Sequence, residues 1–412
     1  MRCVHSFGIA ALGLTMALIS KPAAAGAQTE RGAFIVTLGR DTVAIDQYAR
    51  APRFIDGSLL VRIPVTRVVS YKVLLAEHGH VRRIETRWWT PHPEAGPPQP
   101  PDAIVTFDRD SAVVEYSRGD ESSTIRLAAP RGTVPLVHSV YSMVLYEQVL
   151  RQDGGMGRDT LAVDWLALDQ HARVSRRALT RRGRDSVAIE YFAGTLVART
   201  DTAGHILGLT GQESTAKITV HRVAELDLEP LAAEFGARDA TGQGLGTMSP
   251  RDSVSGVIAG ASLEVDYSRP AKRGRVIWGG VVPWHEVWRT GANWATHFTT
   301  DRDLLISGVT VPAGRYTLYT MPEPGTTRLI INRQTGQWGT VYDPDRDLAR
   351  IPMRSSTVTD PVERFTFILE STDEGGMLGL SWDDRLYWVP FTVTGNGGGP
   401  AESDTAAGKP PG

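Results

Sequence analysis

The chain has 412 residues, 44 basic and 46 acidic, with a formal net charge of −2. Such a balance argues against a general nucleic-acid binder, which needs a basic excess or a basic stripe. The single cysteine, Cys3, leaves no disulfide and no thiolate metal site in the rest of the chain.

The N-terminus reads as an address. Arg2 and His5 precede an apolar run from Phe7 to Ile19, and Ala25-Gly26-Ala27 follows as a small-residue cleavage site. This order marks residues 1–27 as a secretory signal peptide. The expectation is a periplasmic or secreted protein, cleaved near Ala27. Cys3 precedes the apolar run, so it is not placed for lipid modification. No later apolar stretch has the length of a transmembrane helix.

The stretch 28–228 alternates apolar and polar residues repeatedly. "VLLAEHGHVRRIE" turns at Gly79, "IVTFDRDSAVVEY" turns at Asp108 to Asp110, and "YFAGTLVARTDTAGHILGL" repeats the pattern. Period-two patterning with closely spaced turns predicts antiparallel sheet, of a kind that can curl into a half-barrel. One segment, near 134–151, predicts a helix on that sheet. Thr133 can cap it, Pro135 suits its first turn and Gly154-Gly155 can stop it. "GRDTVAID", "GRDTLAVD" and "GRDSVAIE" recur at unequal spacing, which suits turn-then-strand punctuation better than a solenoid. "SRRALTRRGRDS" is a basic run that suits a solvated hairpin tip. Residues 229–250 offer a brief helical piece and then a glycine-rich linker. From 251 to 394, clean alternation in "ASLEVDYS", "RFTFIL" and "MLGLSW" predicts a β-sandwich or jelly-roll-like domain. Pro390 suggests an edge position for the last strand. Residues 395–412 have too little to bury and read as a disordered tail.

Standard catalytic signatures are missing: no Gly-x-Ser-x-Gly, no P-loop, no dinucleotide glycine pattern and no His-Glu-x-x-His. Glu77, His78 and His80 sit together at a hairpin tip, where polar residues are expected anyway, so no metal and no cofactor are assigned. Trp88 and Trp89 run into a proline-rich loop, as caps for the sheet's open end. The aromatic weight lies further on. Seven of the ten tryptophans fall after residue 250, and Trp278, Trp284, Trp288 and Trp294 crowd one glycine-broken segment. Such a segment is either a buried plug or a ligand platform. In the first case Arg269, Arg273, Arg275 and Arg289 pair with Glu264, Asp266, Glu286 and Glu363 to pin a crossover loop. In the second, Trp278, Trp288 and Tyr316 line a pocket, with Arg289, Asn293, His297, Ser268 and Arg269 as polar contacts. Strand alternation sets Phe298 in the core and turns His297 toward solvent or a pocket.

"YSRP", "KRGRVIWGG", "VWRTGAN", "VPAGRYTL", "NRQTGQWG" and "PVERFTF" occur in that order. Over about 251–393 the sequence thereby resembles an exported bacterial domain family, domain of unknown function 2911. The resemblance implies a β-rich exported fold and no particular reaction. The family pattern commonly continues from the asparagine with a glutamate; here that place is Trp294, so a general acid or base supplied there is missing.

Three readings of function follow. The leading one is a non-enzymatic binding module for a small polar or anionic ligand or a glycan, through the aromatic and arginine site. A second is an envelope-assembly or lipid-carrier-like protein, acting through the N-terminal sheet and helix. A third is a hydrolase with His297 or His285 as base and Arg289 as oxyanion stabiliser. Oligomeric state is not legible.

Overall fold

The computed structural model describes residues 29–91, 102–152, 157–168 and 171–394. The segment expected as a signal peptide, the proline-rich stretch 92–101, Gly154-Gly155 and residues 395–412 lie outside the described residues. The protein is mainly β. Its N-terminal part is a single fifteen-stranded sheet. The strand Glu30–Leu38 sits inside it, pairing with Asp41–Ala51 on one side and Thr219–Val223 on the other. From there, successive hairpins step outward in both directions. Pairing is antiparallel except at one end, where Val134–Leu136 runs parallel to Thr160–Ala167. Val134–Leu136 also lies against the distant strand Val81–Trp89, so the sheet wraps around its contents without closing into a barrel.

Those contents are helix α1, Met143–Arg151. Every residue from Met143 to Leu150 is buried. A helix apolar on all sides except a few paired groups belongs inside a core. Alternate strand residues explain why both sheet faces are covered. Phe34, Tyr48, Leu59 and Tyr71 face α1, whereas Ala33, Ile45, Leu60 and Val68 face a second helix, α2, Leu228–Ala240.

The charges that enter the core are paired there. Ser142, at the N-cap of α1, makes no capping bond to the helix. Asp46 does it from the sheet: its carboxylate accepts from Val144 N at 2.9 Å and from Tyr71 Oη at 2.8 Å. Glu147, fully buried on α1, accepts from Arg50 Nη1 at 2.5 Å, from Ile206 N at 2.8 Å and from Arg222. Glu30 joins the same network through Arg151, Tyr48 and Arg222.

The C-terminal part has a six-stranded sheet and a four-stranded sheet. Their inward residues share one core: Leu263, Val265, Phe298 and Leu318 from the first, Phe367, Leu380, Val389 and Phe391 from the second. This is the sandwich that period-two patterning predicts. The two halves meet at a turn-to-turn contact. Arg40 N donates to Arg273 O at 3.0 Å, and Arg273 Nη1 pairs with Asp41 at 2.5 Å. Among the described residues no helix is long and apolar enough to cross a membrane.

Three local expectations are corrected. The helix expected near 134–151 begins at Met143, because Val134–Leu136 is claimed by pairing with Trp165–Ala167. The brief helical piece expected at the start of 229–250 is longer than that reading implied: it is the thirteen-residue α2, which buries Leu228 and Ala232 on the sheet's outer face. Pro390 is not on an edge strand: Gly375–Val393 has neighbours on both sides. It falls where one pairing has ended, at Trp388, and the other begins, at Phe391, so its missing N–H costs no ladder bond.

Candidate functional site

The segment 284–295 is pinned at both ends. Trp288 and Thr320 exchange backbone hydrogen bonds of 2.7 and 3.0 Å. Ala295 N donates to Gln337 O at 3.1 Å, and Gly339 N to Asn293 O at 2.8 Å. Between these ties the backbone is forced into left-handed conformations at Thr290 (φ 48°) and Asn293 (φ 59°). A β-branched residue there is a genuine outlier. Thr290 persists because its surroundings over-determine it. Its hydroxyl bonds Trp288 O and the Thr320 hydroxyl, and its carbonyl accepts from Thr296 Oγ1 at 2.7 Å. Strain held this way clusters at ligand clamps and active sites.

Trp288 goes inward. It stacks on Trp382 at 5.9 Å and 17°, and meets Phe365 and Trp278 edge-on. Trp278 donates Nε1 to Trp382 O at 3.3 Å and packs against Tyr387. Trp288 belongs to the sandwich core and Trp278 packs against it half-buried; of the two, Trp288 lines a cavity. Trp294 pairs with Trp338 across the loops at 5.7 Å.

Arg289 goes the other way. It lines a cleft of about 830 Å³ between the sandwich and the N-terminal sheet. The sandwich supplies Arg273, Arg275, Glu286, Trp288, Asn293, Tyr319, Trp338 and Tyr342. The facing wall supplies Tyr141, Tyr191, Phe192, Gln212, Glu213 and Lys217. Among the described residues no carboxylate, carbonyl or hydroxyl bonds the Arg289 guanidinium, and its Nη1 is buried without a partner. Burial pulls it down to about 10, so it is charged at neutral pH. The other expected pairings also differ from the sequence reading. Arg269 meets Asp252, Phe365 O and Thr366 Oγ1, Arg273 meets Asp41, and Arg275 binds only the carbonyls of Lys272 and Ala271. Burial, and then the neighbouring Arg273, lower Arg275 to about 10. Lys217 Nζ donates to Gln212 O at 2.7 Å; burial lowers it too.

Of the residues singled out in the sequence, Arg289, Asn293 and Trp288 line the cleft together. Trp278, Tyr316, Ser268, Arg269, His285 and His297 do not. Tyr316 is held in the sandwich by Pro312 O, and Ser268 is fully buried beneath Gly291. His297 points to neither solvent nor cleft. The 333–337 loop covers it, Gly336 N donates to its Nε2 at 2.9 Å, and burial pushes it down to about 4. His285 is exposed and bonds only through its backbone. Neither histidine lines the cleft, so the two bases of the hydrolase reading lie outside it. The N-terminal wall was not anticipated. Its clearest signal is Phe192, an aromatic in the turn of "YFAG" with no strand face to bury it.

The histidines at the first hairpin tip have a structural setting. Gly79 O there accepts from Gln148 of α1 and from Gln152 just beyond it, tying the turn to the helix.

Residues 249–391 match the model of a family described as a protein of unknown function, DUF2911. Three of the blocks that carry the resemblance meet at the cleft, through Arg273 and Arg275, Trp288 to Asn293, and Trp338-Gly339. The chain has no match among curated proteins. One solved structure, a DUF1089 family protein from Pseudomonas aeruginosa, is 14% identical. The match covers 42% of this chain and 91% of that one, with a TM-score of 0.28, too low to bear on the fold.

Proposed function

We propose that this is an exported, non-enzymatic binding protein that takes a small polar or anionic ligand into the cleft around Arg289. One observation carries the reading: a largely buried guanidinium faces a cleft of about 830 Å³ with no acceptor among the described residues. A buried cation left unpaired is costly unless a ligand completes it. The cleft has the size of a small-molecule site, and its lining mixes aromatic side chains with charged and neutral polar groups. Trp288 is held by aromatic neighbours and the strained Thr290 turn, so Arg289 beside it is held in place before binding, which lowers the ordering cost. Asn293 at the rim adds a neutral hydrogen-bonding group. The carrier-like reading has less to stand on, because α1 fills the space that a lipid chain needs.

Trp288 and Trp338 line the cleft, so occupancy should change tryptophan fluorescence. Titration with a panel of small organic acids, phosphate and acidic and neutral oligosaccharides should give a saturable change for at least one class. Arg289→Ala should abolish it while leaving the far-UV spectrum unchanged. No saturable response across the panel counts against the reading.

A further inference from the structure

We infer that the cleft's ligand is an organic anion with a flat apolar body, gripped by both halves of the protein; this rests on the binding reading above. The charge of the cleft is the first ground. Arg273 is committed to Asp41 and Glu213 to Arg182, at 2.5 and 2.6 Å. That leaves Arg289 unpaired, Arg275 and Lys217 bonded only to carbonyls, and Glu286 as the remaining acid. The surplus is cationic, which selects an anion.

The second ground is independent of charge. Phe192 sits at the tip of the hairpin joining Ser186–Tyr191 to Gly194–Thr200. It is 54% exposed, although its ring lies only 4.2 Å from that of Tyr191. The phenyl packs one face on Tyr191 and leaves the rest of its surface exposed. It lines the cleft, with Trp338 and Tyr342 on the sandwich side. Aromatic rings contributed by both walls suit a planar body.

A neutral glycan fits less well. Sugar hydroxyls need acceptors as well as donors, and the only carboxylate not already bonded here is Glu286. The same geometry makes the site bipartite: Arg289 and Arg275 come from the sandwich, Phe192 and Lys217 from the N-terminal sheet.

The test uses the whole protein and calorimetry with three probes: 2-naphthoate, acetate and a glucuronate-containing oligosaccharide. Naphthoate should bind at least about tenfold more tightly than acetate. Arg289→Gln should weaken naphthoate about tenfold or more, the size expected for charge-assisted hydrogen bonds. Phe192→Ser, at an exposed turn, should weaken naphthoate about fivefold and leave acetate unchanged. The unfolding midpoint of Phe192→Ser should match the parent, and that of Arg289→Gln, which removes an unpaired buried charge, should equal or exceed it, which separates lost binding from lost structure. If the acidic oligosaccharide binds through Arg289 and naphthoate does not, the flat-anion inference fails and the binding reading survives. If no probe binds, both fail. Naphthoate binding that ignores Phe192→Ser overturns the bipartite site.

Discussion

Replacing Asp46 by Asn should change how stability depends on pH. Asp46 is fully buried between the sheet and α1, and burial pushes its carboxyl up to about 7, against the lowering effect of the Val144 amide and Tyr71. An unfolded chain titrates near the ordinary Asp value, roughly 3.9. The folded protein therefore holds this proton to higher pH than the unfolded chain does. That contribution is fully present below about pH 4 and is lost as pH rises through 7. Three pH units of displacement amount to about 4 kcal/mol, or about 1.4 kcal/mol per unit between those limits. Asparagine has nearly the same shape and still accepts from Val144 N, but it does not titrate. The difference in unfolding free energy between Asp46→Asn and the parent should thus swing in favour of the variant by a few kcal/mol from pH 4.5 to pH 7.5. Urea unfolding at a series of pH values measures it, and subtraction removes other titrating groups, such as His138, which burial lowers to about 4. A difference that is flat with pH, or that moves in favour of the parent, refutes the claim that burial dominates at Asp46.

Glu147→Gln should be among the most destabilising single changes. It leaves the buried Arg50 beside a neutral group, while Arg222 keeps Glu30, at a cost of about 3–5 kcal/mol, read as a lowered urea midpoint. Gly339→Ala should act mainly on the cleft. A Cβ there meets Asn293 O at 2.7 Å and Arg289 Cδ at 2.8 Å, so overpacking of about 1–3 kcal/mol is relieved by displacing the Arg289 loop. Ligand binding should then fall more steeply than thermal stability, and equal loss of both would place the strain elsewhere.

Period-two alternation made the sheets legible, because a strand with one buried face writes that face into every second residue. The sandwich core around Val265, Phe298 and Phe367 follows from it directly. Pairing partners were not legible. Val134–Leu136 looked like the first turn of a helix because its alternative, a parallel edge beside Trp165, depends on residues thirty positions away. The aromatic and arginine content of 278–294 pointed to the loop that brings Trp288, Arg289 and Asn293 to the cleft. It did not separate Trp278, which packs against the core, from Arg289, which does not, because a glycine-broken loop has no period from which to read a facing. His297 shows the same limit from the other side. Its strand face was correctly set opposite Phe298, but the 333–337 loop that covers it comes from distant sequence. The N-terminal wall with Phe192 and Lys217 escaped notice for that reason too.

The most direct test of the account is a crystal structure of the whole protein soaked in bromide, with anomalous data collected at the bromine edge. The account predicts an Arg289 guanidinium with no protein carboxylate or carbonyl bonded to it, and an anomalous peak within hydrogen-bond distance inside the cleft. A guanidinium saturated by protein acceptors, with no anion beside it, contradicts the account.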